Sequence, residues 1–225
     1  MPWRQLTSTQ QVKVRIFLQE YIREKIPGFE IKEKSQSLWM KILSKILFFT
    51  PDFMDRFVTT LYPKVYVPSL LRWESNNFFS IITVAHEYVH LYDRKRLGLF
   101  FNFLYLSPQV LVVLALLYPL NTWFLLFLVC LLPLPSPGRA WAEFRGYRMS
   151  MAVHHWLTGE KYSVKHITHQ FISSNYYWMF PFRTLVEKLF NREFEKIKLD
   201  ELSPELSEIK NTLTIAHLSV YNGLI

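Results

Sequence analysis

Cysteine is nearly missing from this chain: Cys130 stands alone among 225 residues. A single thiol excludes an intramolecular disulfide framework and a metal site built from cysteine sulfurs, and it accords with a reducing compartment. No apolar core follows Met1-Pro2-Trp3-Arg4-Gln5, so a cleavable signal peptide is not expected. Any entry into a membrane then falls to an internal segment. Nucleic-acid motifs and basic arms are also lacking, so no nucleic-acid partner is expected despite a net charge of +8. Internal repeats and low-complexity tracts are absent as well. The largest gap is in charge itself, because no Asp, Glu, Lys or Arg occurs between Arg96 and Arg139.

That uncharged interval is dense in what remains. Hydrophobic residues make up 50% of the chain and aromatic ones 17%, which is rich for a protein of this size. Within the interval, Leu99 to Leu117 and Leu120 to Leu134 are strongly apolar, divided by Tyr118-Pro119 and Asn121-Thr122. A membrane helix needs about 20 residues, so there is room for two short spans and a tight turn. Pro108 falls in the first of them, which a membrane helix tolerates better than a soluble one. Arg94, Lys95 and Arg96 precede the run, and Arg139, Arg145 and Arg148 follow it. Basic flanks at both ends place both in the cytoplasm, as a hairpin over 99–135 requires. A buried helical pair or a re-entrant loop is the alternative.

Immediately before this run stands His86-Glu87-Tyr88-Val89-His90, an H-E-x-x-H motif inside a stretch of helical pattern. Residues four apart share a helix face, so both imidazoles can grip one ion. Glu87 lies beside that ion but not on it, placed to accept a proton from an attacking water. Ser75-Asn76-Asn77 supplies capping residues for the helix, which should run to about Arg96 with Gly98 as its stop. Asp93 falls on the ligand face, where it can orient an imidazole from behind or simply meet solvent.

A catalytic zinc wants three protein ligands and one open position. Glu143, in the helical stretch Arg139 to Met149 that follows the hairpin, is the candidate third ligand; its other role would be an ion pair with Arg139 or Arg148. His154-His155 and His166-x-x-His169 read as surface or interfacial histidines. One of Tyr147, His154, His155 or Tyr177 can serve to stabilise an oxyanion, and the residues do not choose among them.

Elsewhere the pattern predicts a first amphipathic helix over Thr9 to Lys25, ended by Pro27-Gly28, and a second over Leu38 to Phe49. Thr50-Pro51-Asp52 opens a third helix, expected to reach about Leu61. Lys64-Val65-Tyr66-Val67 is β-prone, and Pro63 and Pro68 at its ends make it an edge strand at best. Ser173 to Phe182 is aromatic-dense, fitting either a core or a membrane boundary. Arg183 to Lys198 reads as a charged helix.

The order of H-E-x-x-H, two hydrophobic segments and a Glu-bearing helix resembles the membrane zinc metalloproteases of the HtpX and CAAX prenyl protease type. That resemblance covers roughly residues 60 to 150. In the family the downstream motif is E-x-x-A-D; here Glu143-Phe144-Arg145-Gly146-Tyr147 stands in its place, with Gly146 for the alanine and Tyr147 for the aspartate. The resemblance implies a gluzincin with His86, His90 and Glu143 on Zn2+ and Glu87 as the catalytic carboxylate. Asp93, Tyr147 and His154 are left for supporting or oxyanion roles.

The expected fold is mainly α: one unit over 1–225, with an α+β zincin-like core and a short edge strand, interrupted by a two-helix membrane hairpin. The expected function is a membrane-anchored endopeptidase acting on peptide or protein substrates at the cytoplasmic face of the lipid bilayer. A catalytically silent binding module and a membrane-perturbing protein are the alternatives.

Overall fold

The motif helix forms where its cap lies. Asn76 Oδ1 accepts the Phe79 N–H at 3.0 Å, and helix α4 runs over Asn77–Leu97 until Gly98 takes φ 61°. The computed structural model describes residues 5–47, 51–132, 134–173 and 178–224. Upstream of α4 lie α1 (Ser8–Lys25), strand β1 (Glu30–Glu33), α2 (Leu38–Ile46), β2 (Thr59–Leu61), β3 (Lys64–Val67) and α3 (Leu70–Ser75). Downstream come α5 (Leu99–Leu106), α6 (Pro137–Thr158), α7 (Val164–Ile172), α8 (Arg183–Lys198) and α9 (Pro204–Tyr221). The protein is thus mostly helical with a small three-stranded sheet.

Helix α1 starts in a capping box: Thr7 Oγ1 accepts from Gln10 N, and Gln10 Oε1 accepts from Thr7 N. Its apolar stripe of Val14, Leu18 and Ile22, four apart, is buried against α4 and α9. Helix α4 packs extensively along α6. Around it one apolar core extends from Leu6 to Val220, with Ile81, Val84, Ala85, Met149, Val153 and Phe190 among its buried members.

A buried ionic network fixes α6 against its neighbours. Arg145 donates to both carboxylate oxygens of Asp93 at 2.8 and 3.0 Å and also meets Glu205 at 3.0 Å. Arg148 reaches Glu205, Ser203 and Glu193. Asp93 and Glu205 are buried, so each needs these guanidinium contacts to offset desolvation.

Three expectations about the elements are corrected. The third helix shrinks to a single 3-10 turn at Pro51–Phe53, and Thr59–Leu61 is a strand instead. Lys64–Val67 is the central strand, not an edge: the order is β1-β3-β2, with β1 parallel and β2 antiparallel to it. Its prolines lie just outside the paired residues, so no ladder donor is lost. Glu30–Glu33, for which the residues predict no strand, pairs residue for residue with Lys64–Val67. Part of the predicted second helix, at 48–49, lies outside the described residues.

The uncharged run folds into three pieces instead of two helices. Helix α5 stops before Pro108, which has no N–H to continue it, and the chain bends by 94° into a 3-10 segment over Gln109–Leu117. A second 3-10 segment, Thr122–Leu131, packs back on the first. At about 2 Å per residue these segments are about 18 and 20 Å long, short of a bilayer core of about 30 Å. No single helix among the described residues is long and apolar enough to cross a membrane, although α5 and Gln109–Leu117 together meet that test across their bend.

The Asp93–Arg145 contact yields a stability prediction. Asp93→Ala leaves Arg145 with only Glu205, and urea unfolding should show a loss of about 3 kcal/mol. A change under about 0.5 kcal/mol, typical of a surface position, contradicts that assignment.

Candidate metal centre

Helix α4 presents His86 and His90 on one face, one turn apart, and their Nε2 atoms lie 3.1 Å from each other. Glu143 arrives from α6, with Oε2 at 3.5 Å from His86 Nε2 and Oε1 at 3.8 Å from His90 Nε2. Tetrahedral coordination at about 2.1 Å sets ligand atoms about 3.4 Å apart, close to these three separations. Glu143 Oε2 is buried and has no hydrogen-bond partner, an expensive state for a carboxylate oxygen that a cation would relieve. The buried His86, His90 and Glu143 group can therefore hold a metal ion.

Further contacts set the orientation of each ligand. His86 Nδ1 meets Ser150 Oγ at 3.1 Å, which leaves Nε2 to face Glu143. Tyr105, on α5, donates its hydroxyl to Glu143 Oε1 at 2.6 Å. The Tyr147 ring stands edge-on to His86 with centroids 4.9 Å apart. Gly146 lets the imidazole lie directly on α6, since a Cβ there would fall 2.5 Å from His86 Nε2. The catalytic candidate Glu87 is buried outside this triangle and accepts from Thr60 Oγ1 at 2.5 Å.

The ligand set already carries one proton's worth of tension. Burial pushes the Glu143 carboxyl up, but His86, His90 and the Tyr105 hydroxyl outweigh it and bring it down to about 2. Burial pulls His86 down, and the carboxylates of Glu143 and Glu87 raise it above its ordinary value on balance. His90 goes the other way, lowered by burial first and by its His86 neighbour as well. Of the two imidazoles, then, His86 is the one whose surroundings favour a proton, and those of His90 disfavour one.

The expected ligands meet, but several supporting assignments change. Asp93 does not reach an imidazole; its carboxylate is engaged by Arg145, so it braces α6 and not a ligand ring. His154 lies three turns along α6 from Glu143, packed on Phe78 and Tyr162, and has no part in the centre. His155 packs on Phe194, and Tyr162 borders His166. Tyr177 lies outside the described residues. Sequence reasoning missed Tyr105, Ser150 and Thr60. Ser150 had a legible signal, being seven residues, or two turns, beyond Glu143 on the same helix. Thr60 was hidden by the misassigned helix, and Tyr105 by the apolar run around it.

A cavity of about 500 Å³ opens over the group. Its walls include Leu43 of α2, Leu47 just beyond that helix, all three residues of β2, and Phe101, Asn102 and Tyr105 of α5. His86, Glu87, His90 and Glu143 line the same space.

Ion binding at this centre should displace the His86 proton. Because that group is raised, affinity for a divalent ion should climb about tenfold per pH unit below its pKa and level off above it. Calorimetric titration in buffers of different ionisation enthalpy should find a proton release per ion that falls as the pH rises through the His86 pKa. A proton release that does not change with pH contradicts the raised His86.

No protein-family model, curated protein or solved structure matches this chain. What can be said of its chemistry rests on the arrangement of its own side chains.

Proposed function

We propose that the protein is a zinc-dependent endopeptidase of the gluzincin kind, associated with a membrane through its uncharged segment. The observation that carries this reading is the joint placement of His86, His90 and Glu143 as a ligand triangle, with Glu87 beside it at one cavity. Zinc held there would polarise a peptide carbonyl and make a neighbouring water acidic enough to attack it.

The chain's own groups supply the remaining steps. Glu87 takes the proton of the attacking water and returns it to the leaving amine, a transfer that its position next to His86 allows. Thr60 fixes the Glu87 carboxylate through one oxygen. Tyr105 and Ser150 hold Glu143 and His86 in place. Strand β2 is an edge strand packed near α4, and its backbone offers an extended peptide a partner for strand addition. Thr59, Thr60 and Leu61 all line the cavity.

The membrane part of the proposal rests on exposure. Leu99, Leu116, Leu120, Trp123, Leu126 and Leu131 show 63–79% of their surface, with no charged residue from 97 to 138. So large an exposed apolar surface calls for lipid or a partner. Leu38, Trp39 and Ile46 of α2, whose Leu43 lines the same cavity, are 62–70% exposed. The site would then stand on the cytoplasmic side, beside the bilayer.

Two measurements test these halves separately. Glu87→Gln should keep one zinc per chain and lose hydrolysis of unfolded protein substrates by a factor of about 10²–10⁴. Undiminished hydrolysis, or absence of zinc from the unaltered protein, overturns the peptidase reading. Paired Leu116→Arg and Leu126→Arg should move the protein from carbonate-washed membranes to the soluble fraction, since each arginine costs about 2.5–3.5 kcal/mol at bilayer depth. A protein soluble before substitution overturns the membrane half alone.

A further inference from the structure

Arg94 stands one turn beyond His90 on α4, so His86, His90 and Arg94 follow one another along the face that borders the cavity. Its helix neighbour Lys95 turns away and donates to the Lys25 carbonyl at 2.8 Å. Arg145 and Arg148 are consumed by Asp93, Glu205 and Glu193. Arg139, the other cation in the cavity wall, donates to the Tyr105 carbonyl and to Gln109. Arg94 has none of these ties. Its guanidinium lies over the Tyr62 ring at 5.8 Å, its Nε is buried without a hydrogen-bond partner, and no carboxylate pairs with it among the described residues.

Arg148 Nε is likewise buried without an acceptor, but that fork is held by Glu193 and Glu205; at Arg94 no carboxylate among the described residues offsets the cost. A basic residue in the last turn of a helix is usual, because it complements the dipole, but such a side chain ordinarily stays in solvent. Here the planar fork turns into the reaction cavity and rests on an aromatic ring, a posture suited to bidentate capture of a carboxylate. The local charge balance points the same way. Glu87 and Glu143 contribute two negative charges, and Arg94 with Arg139 contributes two positive ones. A divalent ion on the histidines then leaves the cavity positive, which favours an anionic occupant.

We propose that Arg94 is a specificity residue that binds a carboxylate of the substrate. The proposal rests on the peptidase reading and narrows it to peptides carrying a negative charge close to the scissile bond. Four residues of helix advance about 6 Å, and extended peptide advances about 3.3 Å per residue. The carboxylate therefore lies within a few residues of the bond that is cut. It belongs either to the chain terminus, which would make the enzyme remove short C-terminal pieces, or to an Asp or Glu side chain.

The test uses the full-length Glu87→Gln protein loaded with zinc, so that peptide binds without turnover. Three dansyl-labelled pentapeptides of one apolar sequence serve as probes: a C-terminal amide, the free acid, and an amide with one internal glutamate. At least one charged probe should bind about 10 to 100 times more tightly than the neutral amide. Preference for the free acid assigns the terminal carboxylate, and preference for the glutamate peptide assigns the side chain. Adding Arg94→Gln should erase the preference and leave the neutral probe unchanged, and Arg94→Lys should restore part of it. Equal or undetectable binding of all three probes overturns the proposal, as does a preference that survives Arg94→Gln. Zinc content measured on the same samples separates this outcome from failure of the peptidase reading, because a chain without zinc still reports whether Arg94 selects anions.

Discussion

Two imidazole nitrogens and a carboxylate are pressed together at the seam between α4 and α6, and the rest of the molecule is shaped to keep them there. In an apolar interior such a cluster is unfavourable unless a proton or a metal ion sits among its lone pairs. The protein supports it from several directions. Ser150 and Tyr147 brace one imidazole, and Tyr105 holds the carboxylate. The Asp93–Arg145–Glu205 network clamps the helix that brings Glu143 in. Metal affinity and folding are coupled in such a design, since whatever disturbs the seam disturbs both.

The long uncharged segment is part of this support. Helix α5 begins one residue after α4 ends, supplies Tyr105 to Glu143, and is tied to α6 through Ser136, Arg139 and the Ser107 and Tyr105 carbonyls. An apolar surface turned outward and a polar grip turned inward thus belong to the same few turns of chain. The cavity is bounded by this element on one side and by the β2 edge on the other, so whatever covers α5 also shapes the approach to Glu87.

Much of the centre was legible in the sequence because helical periodicity alone puts residues 86 and 90 together. Glu143 was legible because two histidines leave a third ligand to be found, and it is the first carboxylate after the uncharged run. The sheet was less so. Glu30–Glu33 has little intrinsic strand preference and becomes a strand only by pairing with β3, a tertiary effect that no local pattern records. Thr59–Leu61 was lost to a helix signal at Pro51-Asp52 that spends itself in one turn. Spacing assigned Asp93 to the ligand face, but it could not show that Arg145, from a helix distant in sequence, would take its carboxylate. The break at Pro108 was visible, whereas its 94° bend depends on how the two 3-10 segments pack.

The glycines of α6 carry a consequence for how this chain can change. A Cβ at Gly138 would fall 2.2 Å from the Leu104 carbonyl oxygen, and one at Gly146 would meet His86. Eight residues, or about 12 Å of helix, separate these two bare points, with Glu143 between them. They act as two notches in a key. Inserting or deleting one residue between them would rotate one notch by about 100° relative to the other, and Glu143 would keep step with at most one. Loops in this molecule can lengthen, but the spacing from Gly138 through Glu143 to Gly146 is held by steric contact as well as by chemistry.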